Sequence, residues 1–471
     1  MKKVLFLLSV LFSLTAFAAE PAPKAAAPKN NFKLYGFIRN FFIYDSRESV
    51  SGTGDLFYYL PKDVSLNQAG EDVNATSSFR FLALTSRLGV DVSGYSINNV
   101  HFGAKIEGDF YSGLSNSSNE KASVYFPGNT KISGTATARL RQAYATVTWK
   151  DLGKDKAHSV GLKIGQAWHP MAADMPHVFS LEAGAPFGPF SRTPQVTMDA
   201  NIGQNWIISA SALWQMQYQS AGPIGSSALY MKYGKTPEVY AGITFKSKGF
   251  LARAGVDVVS IVPRVYSSVE IPAPTDKDPL ATKIVADKRV HERKTSVLGY
   301  LYAQYSYKTF SVKAKTTYGQ GGEHMNLMSG YAKVGEKEDG SWEYASLRNS
   351  SSWLSMTVGK KWQGVLFLGY VKNFGISAKD RANAFSGADD PIPSSNVYFC
   401  SNGFSTINQM YRINPQLIYN IGKMNIGLEY QWTSVQYGKT DGGKLNAHAL
   451  ADKDLHWVGN NRVNLMVKYN F

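Results

Sequence analysis

The stretch from His101 to Phe110, which reads HFGAKIEGDF, alternates between two kinds of side chain along its whole length. One face of an extended strand would carry the apolar positions Phe102, Ala104, Ile106 and Phe110. The other face would carry the charged positions Lys105, Glu107 and Asp109. Because side chains alternate across a strand, the pattern predicts large apolar groups on one side and charge on the other. A strand of this kind suits a wall between lipid and water.

The same period of two returns in segment after segment, separated by turns rich in Gly, Asn, Asp, Lys and Ser. The candidate strands are 33–44, 80–93, 100–111, 137–149, 158–168, 194–201, 205–219, 237–247, 249–261, 294–307, 309–319, 352–361, 363–374, 407–420, 423–437 and 459–471. Barrels of about 16 to 18 strands enclose an aqueous channel. We therefore predict an all-β fold, a transmembrane antiparallel β-barrel of about sixteen strands with long extracellular loops.

Within these segments the alternation assigns individual side chains to the two faces of the wall. In 80–93 it places Leu82 and Leu88 together on the lipid face and Arg87 on the lumen face. In 205–219 it places Trp206 and Tyr218 on the lipid face. Aromatic residues near strand ends are expected to form girdles at the membrane interfaces. The candidates for these girdles are Trp149, Trp206, Trp362, Trp457 and Tyr469.

The connections alternate between short turns and long loops, as a porin-like barrel requires. The long connections are 46–79, 112–136, 169–193, 220–236, 263–292, 320–350, 376–405 and 438–458. One long loop of such a barrel usually folds inward and narrows the channel. The candidates for that loop are 112–136 and 169–193, the second being rich in proline and aromatic residues.

The first residues have the three-part pattern of a secretory signal. Lys2 and Lys3 precede an apolar run, and the run ends at the small-residue exit Ala16-Phe17-Ala18. We therefore expect a signal peptide over 1–18, a flexible periplasmic tether over 19–31, and an outer-membrane β-barrel over 32–471. The tether is rich in Pro, Ala and Lys and has nothing to pack.

Composition narrows the class of protein further. No run of about 18 apolar residues follows the signal, so no membrane-spanning helix is predicted. The formal net charge of +15 falls to +13 without Lys2 and Lys3, and its lysines and arginines are scattered along the chain. Export argues against a nucleic-acid partner. Cys400, the one cysteine, is expected to be a loop thiol of no consequence. The eight histidines show no paired metal-ligand spacing, so no metal site and no cofactor are predicted.

The last nine residues, Val463 to Phe471, place Val463, Leu465, Val467, Tyr469 and Phe471 on one face. A final amphipathic strand that closes on a phenylalanine resembles the signal read by the outer-membrane assembly machinery of bacteria. The resemblance implies that this machinery is a partner of the chain, that the lipid bilayer surrounds it, and that the protein resides in the bacterial outer membrane.

Two motifs resemble the trimeric porins of the DcaP-like family. They are Arg139-Leu140-Arg141-Gln142-Ala143-Tyr144 and Leu162-Lys163-Ile164-Gly165-Gln166-Ala167-Trp168. Leu34-Tyr35-Gly36-Phe37, followed by Tyr44-Asp45, is similar to porin openings more generally. The resemblance covers roughly the first 170 residues and implies a homotrimer with a basic constriction for small anions such as dicarboxylates. The N-terminus departs from the family because the Ala/Pro tether lacks heptads.

Charged side chains on the lumen faces are candidates for the pore lining and constriction. They are Arg39, Arg87, Lys105, Glu107, Asp109, Arg139, Arg141 and Arg253. Arg139 and Arg141 share a strand face and form a paired guanidinium step that suits a carboxylate. The basic members would form a positive wall opposite Glu107, Asp109 and Asp257 and bias permeation by charge. The alternative is that all of them are ordinary lumen residues held in salt-bridge ladders.

These features predict a passive diffusion porin for ions and small hydrophilic solutes, with anions preferred, and not an enzyme. Two other classes remain open. An adhesin or structural barrel would have a lumen packed with bulky residues. An outer-membrane hydrolase would need a serine and a histidine that converge at one wall.

Overall fold

The structure is a computed structural model that describes residues 30–52, 57–83, 85–111, 137–272, 282–382, 389–400 and 406–471. The expected signal peptide, the expected tether up to residue 29, and loop 112–136 lie outside the described residues. The first strand begins at Asn31, one residue before the expected start of the barrel.

Sixteen antiparallel strands form one closed barrel, as the alternation predicts. In chain order they are β1 (Asn31–Asp45), β2 (Ser78–Leu82 continued by Arg87–Ser93), β3 (Val100–Tyr111), β4 (Thr137–Leu152), β5 (His158–Trp168), β6 (Arg192–Ile202), β7 (Trp206–Leu213), β8 (Glu238–Ser247), β9 (Phe250–Ile261), β10 (Lys294–Tyr307), β11 (Phe310–Gly319), β12 (Arg348–Gly359), β13 (Trp362–Gly375), β14 (Ile407–Ile421), β15 (Met424–Lys439) and β16 (Lys453–Asn470). Each strand pairs with its neighbours in sequence, and closure removes exposed sheet edges.

The barrel closes between its first and last strands. The register of β1 on β16 runs from Phe37 opposite Asn470 to Asp45 opposite Arg462. The backbone N–H of Phe471 donates to the carbonyl of Gly36 at 3.1 Å. A Cβ at Gly36 would lie 2.3 Å from a backbone oxygen and 2.6 Å from the Phe471 ring, so glycine permits this close approach.

The two faces of the wall differ as the sequence predicts. Outward positions such as Ile106 and Leu301 are more than half exposed, whereas Lys315 and Glu107 point inward and are buried. Among the girdle candidates, Trp206, Trp362, Trp457 and Tyr469 are exposed on the outer surface. Since an arginine or lysine on the lipid face costs about 2–4 kcal/mol at the membrane midplane, the alternation strongly determines which face points outward.

Strand β2 contains a bulge that corrects one face assignment. Leu82 pairs with Phe41, but Arg87 pairs with Phe37, so one extra residue lies between the two segments of β2. Thr85 adopts a φ of 72° there. A shift of one residue exchanges the two faces of a strand. The lipid-facing prediction is therefore wrong for Leu82, which is buried in the lumen, and holds for Leu88, which is exposed outside.

The connections at one end of the barrel are short turns, and those at the other end are long and carry their own small elements. The strands in the long connections are Ser49–Gly52, Phe57–Pro61, Tyr266–Pro272, Thr282–Arg289, Gly330–Glu336, Trp342–Ser346, Ile392–Pro393, Val397–Phe399 and Lys444–Leu445, whereas Ser96–Ile97 lies in the short turn between β2 and β3. The helices are Leu229–Gly234 and Ala378–Ala382, with 3-10 turns at Pro170–Ala172, Glu323–Met325 and Ser394–Asn396. In the described part of the chain, no helix has the length and apolar character needed to cross a membrane.

Several long connections fold into the barrel and pack against one another. The strand Phe57–Pro61 is buried at every position. Strand β7 ends at Leu213, earlier than expected, and Tyr218 then turns inward with its hydroxyl oxygen 3.3 Å from that of Tyr59. The prediction that Tyr218 faces lipid is therefore wrong. Cys400 is also buried within this packing and does not lie on a loop surface.

Candidate functional site

Two arginines of β4 bind two carboxylates of the neighbouring strand β3. Arg139 contacts both carboxylate oxygens of Asp109 at 2.9 Å. Arg141 donates from Nε to Glu107 at 2.8 Å and from Nη1 to Asp109 at 2.7 Å. The strand register explains the contact, because Asp109 pairs directly with Arg139 and a bulge beside Glu107 brings Arg141 and Gln142 to the same carboxylate. These four charged groups form the salt-bridge ladder that the sequence left as an alternative.

Three further cations lie beside this ladder and surround one aromatic ring. The ring of Phe37 has Arg39 and Arg87 at 5.0 Å and Lys468 at 5.3 Å from its centroid. Arg39 donates to the Thr85 hydroxyl at 3.0 Å. The ring face attracts cations and holds these side chains together although they carry like charges.

We call Arg39, Arg87, Arg139, Arg141 and Lys468, together with Glu107 and Asp109, the basic wall. It spans five adjacent strands, β16 and β1 to β4. Among the described residues, its five cations face two carboxylates, an excess of three positive charges. The closest approach of Arg87 to Glu107 is 3.8 Å. In addition, the Nε atoms of Arg39 and Arg87 are buried and lack a hydrogen-bond partner among the described residues.

Lys105 lies at the edge of the basic wall but is neutralised separately. Its Nζ is 2.9 Å from Asp91 and 3.1 Å from the hydroxyl of Tyr35. That hydroxyl donates to Glu107 at 3.0 Å. Lys105 therefore positions neighbouring groups without adding to the excess charge.

Arg253 is not brought to the basic wall. It lies on β9 on the far side of the barrel, where it donates to Asp174 at 2.5 Å and to Thr244 at 3.0 Å. The acidic groups also depart from the expected arrangement. Glu107 and Asp109 lie beside the arginines and not opposite them, and Asp257 is buried near His169.

The connection between β5 and β6, residues 169–191, folds into the lumen, and we call it the inward loop. Lys315 on β11 donates to two of its backbone carbonyls, those of Met171 and Asp174, at 2.7 Å each. Gln416 on β14 donates to the carbonyl of His177 at 3.0 Å. The amide of Phe179 donates to Glu429 on β15 at 2.7 Å. These hydrogen bonds of the inward loop therefore all run to the wall formed by β9 to β15, and not to the strands of the basic wall.

Both acidic residues of the inward loop point at the strands behind it. Asp174 pairs with Arg253, and Glu182 pairs with Arg412 at 3.1 Å, with Arg462 at 4.0 Å. Consequently neither carboxylate neutralises the excess charge of the basic wall across the lumen. The sequence makes 169–193 one of two candidates for an inward-folding loop. It does not predict these pairs, because their members are far apart along the chain.

His177 of the inward loop responds to the charge around it. Burial lowers the pKa of its imidazole, a hydrogen bond to Gln416 opposes that effect, and the positive charges of Lys313 and Lys468 lower the pKa further. Lys468 belongs to the basic wall, so this histidine experiences the potential of that wall. At neutral pH the imidazole is uncharged.

A second cluster was missed by the sequence interpretation, which found no metal-ligand spacing. His169, Glu238, Asp257 and His324 are fully buried, and their ligand atoms all lie within 4.8 Å of one another. His169 and His324 belong to connections between strands, whereas Glu238 and Asp257 belong to β8 and β9. The four residues are distant in sequence, so no local motif could have revealed the cluster.

The comparisons with known proteins agree with the architecture. The chain is similar in structure to the outer membrane channel DcaP of Acinetobacter baumannii, with a TM-score of 0.57 and 18% identity over 96% of this chain and all of that one. It is also similar to the anion-selective porin of Comamonas acidovorans, with a TM-score of 0.50 and 9% identity over 94% of this chain. No protein-family profile and no curated protein matches the sequence. The chain therefore has the fold of outer-membrane porins.

Proposed function

We propose that this barrel is a passive diffusion porin of the bacterial outer membrane that prefers small anionic solutes. The observation that carries the proposal is the excess charge of the basic wall, five cations against two carboxylates among the described residues, on strands other than those to which the inward loop is hydrogen-bonded. The carboxylates of the loop are neutralised by Arg253 and Arg412. A channel with such a lining attracts anions and repels cations.

The size of this effect follows from simple electrostatics. A unit charge about 10 Å away in water changes the energy of a monovalent ion by about 0.4 kcal/mol. Three uncompensated charges therefore contribute about 1.2 kcal/mol, which corresponds to an anion enrichment of about eightfold. Salt screens the attraction, so the preference should weaken as ionic strength rises.

The arrangement of Arg39 and Arg87 favours carboxylates among the anions. Both guanidinium groups have a buried Nε without a hydrogen-bond partner among the described residues. A guanidinium presents its donors in a planar fork that matches the two oxygens of a carboxylate. A small dicarboxylate would engage the terminal nitrogens of Arg87, whose side chain is 24% exposed, for part of its passage.

Liposome swelling tests the proposal with solutes of similar size and different charge. Purified barrel is reconstituted, and swelling rates are compared for a small dicarboxylate, a neutral sugar and a diamine. We expect the dicarboxylate to enter fastest and the diamine slowest. Equal rates for all three solutes would contradict the proposed role of the basic wall.

A second candidate function follows from the packing inside the barrel. Bulky side chains from several connections and from the wall form one interior cluster, which includes Phe57, Tyr59, Phe187, Phe190 and, on β12, Trp353. A lumen packed with bulky residues is the feature expected of an adhesin or structural barrel. Folded barrels that conduct no ions in a planar bilayer would favour that candidate over the porin.

The contacts of His177 do not form the nucleophile and base pair of a hydrolase. Ser355 accepts a hydrogen bond from the backbone amide of His177 at 3.2 Å, while the imidazole contacts Gln416 at 3.3 Å. A serine nucleophile needs the imidazole itself within hydrogen-bond reach. The contacts of His177 therefore do not favour the hydrolase alternative.

We also propose how the chain is exported and assembled. We propose that residues 1–18 direct export, that 19–31 form a periplasmic tether, and that the mature barrel assembles as a homotrimer. The terminal strand that ends at Phe471 would engage the outer-membrane assembly machinery. Native mass spectrometry of barrel extracted from outer membranes tests the first and third points through the mass of the chain and of the complex.

A further inference from the structure

The cluster of His169, Glu238, Asp257 and His324 has an unusual balance of donors and acceptors. The Nε2 atoms of His169 and His324 lie 2.7 Å and 2.8 Å from the same oxygen of Glu238, Oε1. The other oxygen, Oε2, is buried and has no hydrogen-bond partner among the described residues. Asp257 Oδ1 likewise lacks a hydrogen-bond partner there and lies 3.6 Å from His169 Nε2. Two buried carboxylates therefore present oxygens that no donor of the described residues satisfies, which is costly for a buried charged group.

The two histidines are not equivalent. His169 Nδ1 accepts a hydrogen bond from the backbone amide of Met171 at 3.1 Å. The proton of this ring must therefore sit on Nε2, which donates it to Glu238 and has no lone pair to offer a metal. In contrast, His324 Nδ1 has no partner among the described residues. When an ion replaces the contact between Nε2 and Glu238, this ring can carry its proton on Nδ1 and present the lone pair of Nε2.

From this geometry we propose that Glu238, Asp257 and His324 bind a divalent transition-metal ion, with Zn²⁺ the best fit. One imidazole nitrogen and two carboxylate oxygens are ligands that Zn²⁺ accepts in tetrahedral sites. A dication would also balance the charges of the two carboxylates. His169 is a positioning residue, because its hydrogen bond to Oε1 orients the Glu238 carboxylate with Oε2 towards the ion.

The dimensions of the cluster suit this ion. Bonds of about 2.0–2.2 Å in a tetrahedral site place ligand atoms about 3.3–3.6 Å apart. The ligand atoms of the cluster already lie within 4.8 Å of one another. A bound ion therefore requires only small movements of side chains whose backbones belong to β8, β9 and the 3-10 turn Glu323–Met325.

The proposed site would join the barrel wall to two of the connections between strands. Glu238 and Asp257 belong to the wall, His324 belongs to the connection between β11 and β12, and His169 is the first residue of the inward loop. A metal ion would fix that connection to the wall beside the root of the inward loop. Because all four residues are buried, we expect the ion to enter during folding and to resist chelators afterwards.

The test measures metal in the full-length folded barrel, purified in detergent from cells grown with added zinc. Elemental mass spectrometry after extensive dialysis should find about one zinc ion per chain, as expected for a single site of this type. His324→Gln keeps the size of the side chain and one N–H donor but removes the nitrogen ligand, so the bound zinc should be lost. His448→Gln is the matched control at a histidine whose imidazole contacts the carbonyl of Ile376, and it should retain zinc.

The variant His169→Gln separates the positioning role from ligation. It should weaken zinc affinity by about 10- to 100-fold without abolishing binding. Heat-modifiable migration on a gel shows whether each variant has folded. If His324→Gln does not fold, wild-type protein refolded with Co²⁺ should show the visible absorption of a low-symmetry site. Folded wild-type protein that contains no metal, or equal zinc contents in wild type and folded His324→Gln, would overturn the proposal.

Discussion

The arginines and lysines on the two sides of the lumen differ in how far acidic groups neutralise them. On β9 to β15 the inward loop brings an acidic group or a carbonyl to the cations, as with Asp174 on Arg253 and Glu182 on Arg412. On β16 and β1 to β4 the inward loop reaches Arg462 through Glu182 at 4.0 Å, whereas the basic wall keeps more cations than acids among the described residues. The role of a lumen arginine therefore depends on which connection reaches it, and much less on its place in the alternating pattern.

The largest expected effect comes from breaking the side that the inward loop covers. Glu182→Gln removes the buried partner of Arg412 and leaves an uncompensated buried charge. Loss of one partner of such a pair costs about 3–5 kcal/mol. We expect this decrease in the free energy of unfolding in urea, together with a larger single-channel conductance as the loop detaches.

An exposed ion pair provides the control for Glu182. Asp454 pairs with Lys439 at 3.0 Å on the surface of the barrel. Asp454→Asn should change the free energy of unfolding by about 1 kcal/mol or less, because water already solvates both groups. Equal losses for Glu182→Gln and Asp454→Asn would show that the inward loop is not held by its buried carboxylate.

The next effect concerns the basic wall. Arg87→Gln combined with Lys468→Gln removes two of its three uncompensated charges, and two charges at about 10 Å are worth about 0.8 kcal/mol. Because anions lose this attraction and cations lose an equal repulsion, the ratio of anion to cation permeability should fall about 15-fold, as measured from reversal potentials. Lys248→Gln in an exposed turn is the control for a change of charge outside the lumen. An equal fall in the permeability ratio of that variant would refute the role of the basic wall in selectivity.

A smaller effect is expected from pH. His177 has a pKa below the ordinary value near 6.5, so it is neutral at pH 7 and gains a proton only as the pH falls below that value. The added charge attracts anions and repels cations equally, so acidification should raise the ratio of anion to cation permeability about fourfold. His177→Gln should remove this increase, and an unchanged pH dependence in the variant would assign the titration to another group.

The smallest change in selectivity should come from removing a neutral pair. Arg253→Gln combined with Asp174→Asn eliminates one positive and one negative charge from the covered side. The reversal potential should therefore stay at the wild-type value, even if the conductance changes. If the reversal potential shifted as much as in the Arg87 and Lys468 variant, the proposed difference in net charge between the two sides of the lumen would be wrong.

The strands could be predicted from the sequence because a barrel wall imposes the same alternation on every strand. Val463 to Phe471 shows this directly, with outward Leu465 exposed and inward Asn464 buried. The prediction for Leu82 failed because a bulge of one residue exchanges the two faces of a strand. The amino-acid composition around the bulge does not reveal it.

The candidate site was predictable only in part. The lumen orientation of Arg139 and Arg141 followed from alternation, but their partners depended on the register of β3 on β4. The pairing of Glu182 with Arg412 joins residues 230 positions apart. Contacts of this kind depend on how a long connection folds inside the barrel, and no periodicity encodes that path.

The most direct test of the porin proposal is the reversal potential of folded wild-type protein in a planar bilayer under a steep KCl gradient. The excess positive charge of the basic wall predicts stepwise channel openings and a reversal potential whose sign reports chloride as the preferred ion. A reversal potential near zero or of the opposite sign would contradict the account of the basic wall. No openings from barrels verified as folded would contradict the open channel itself.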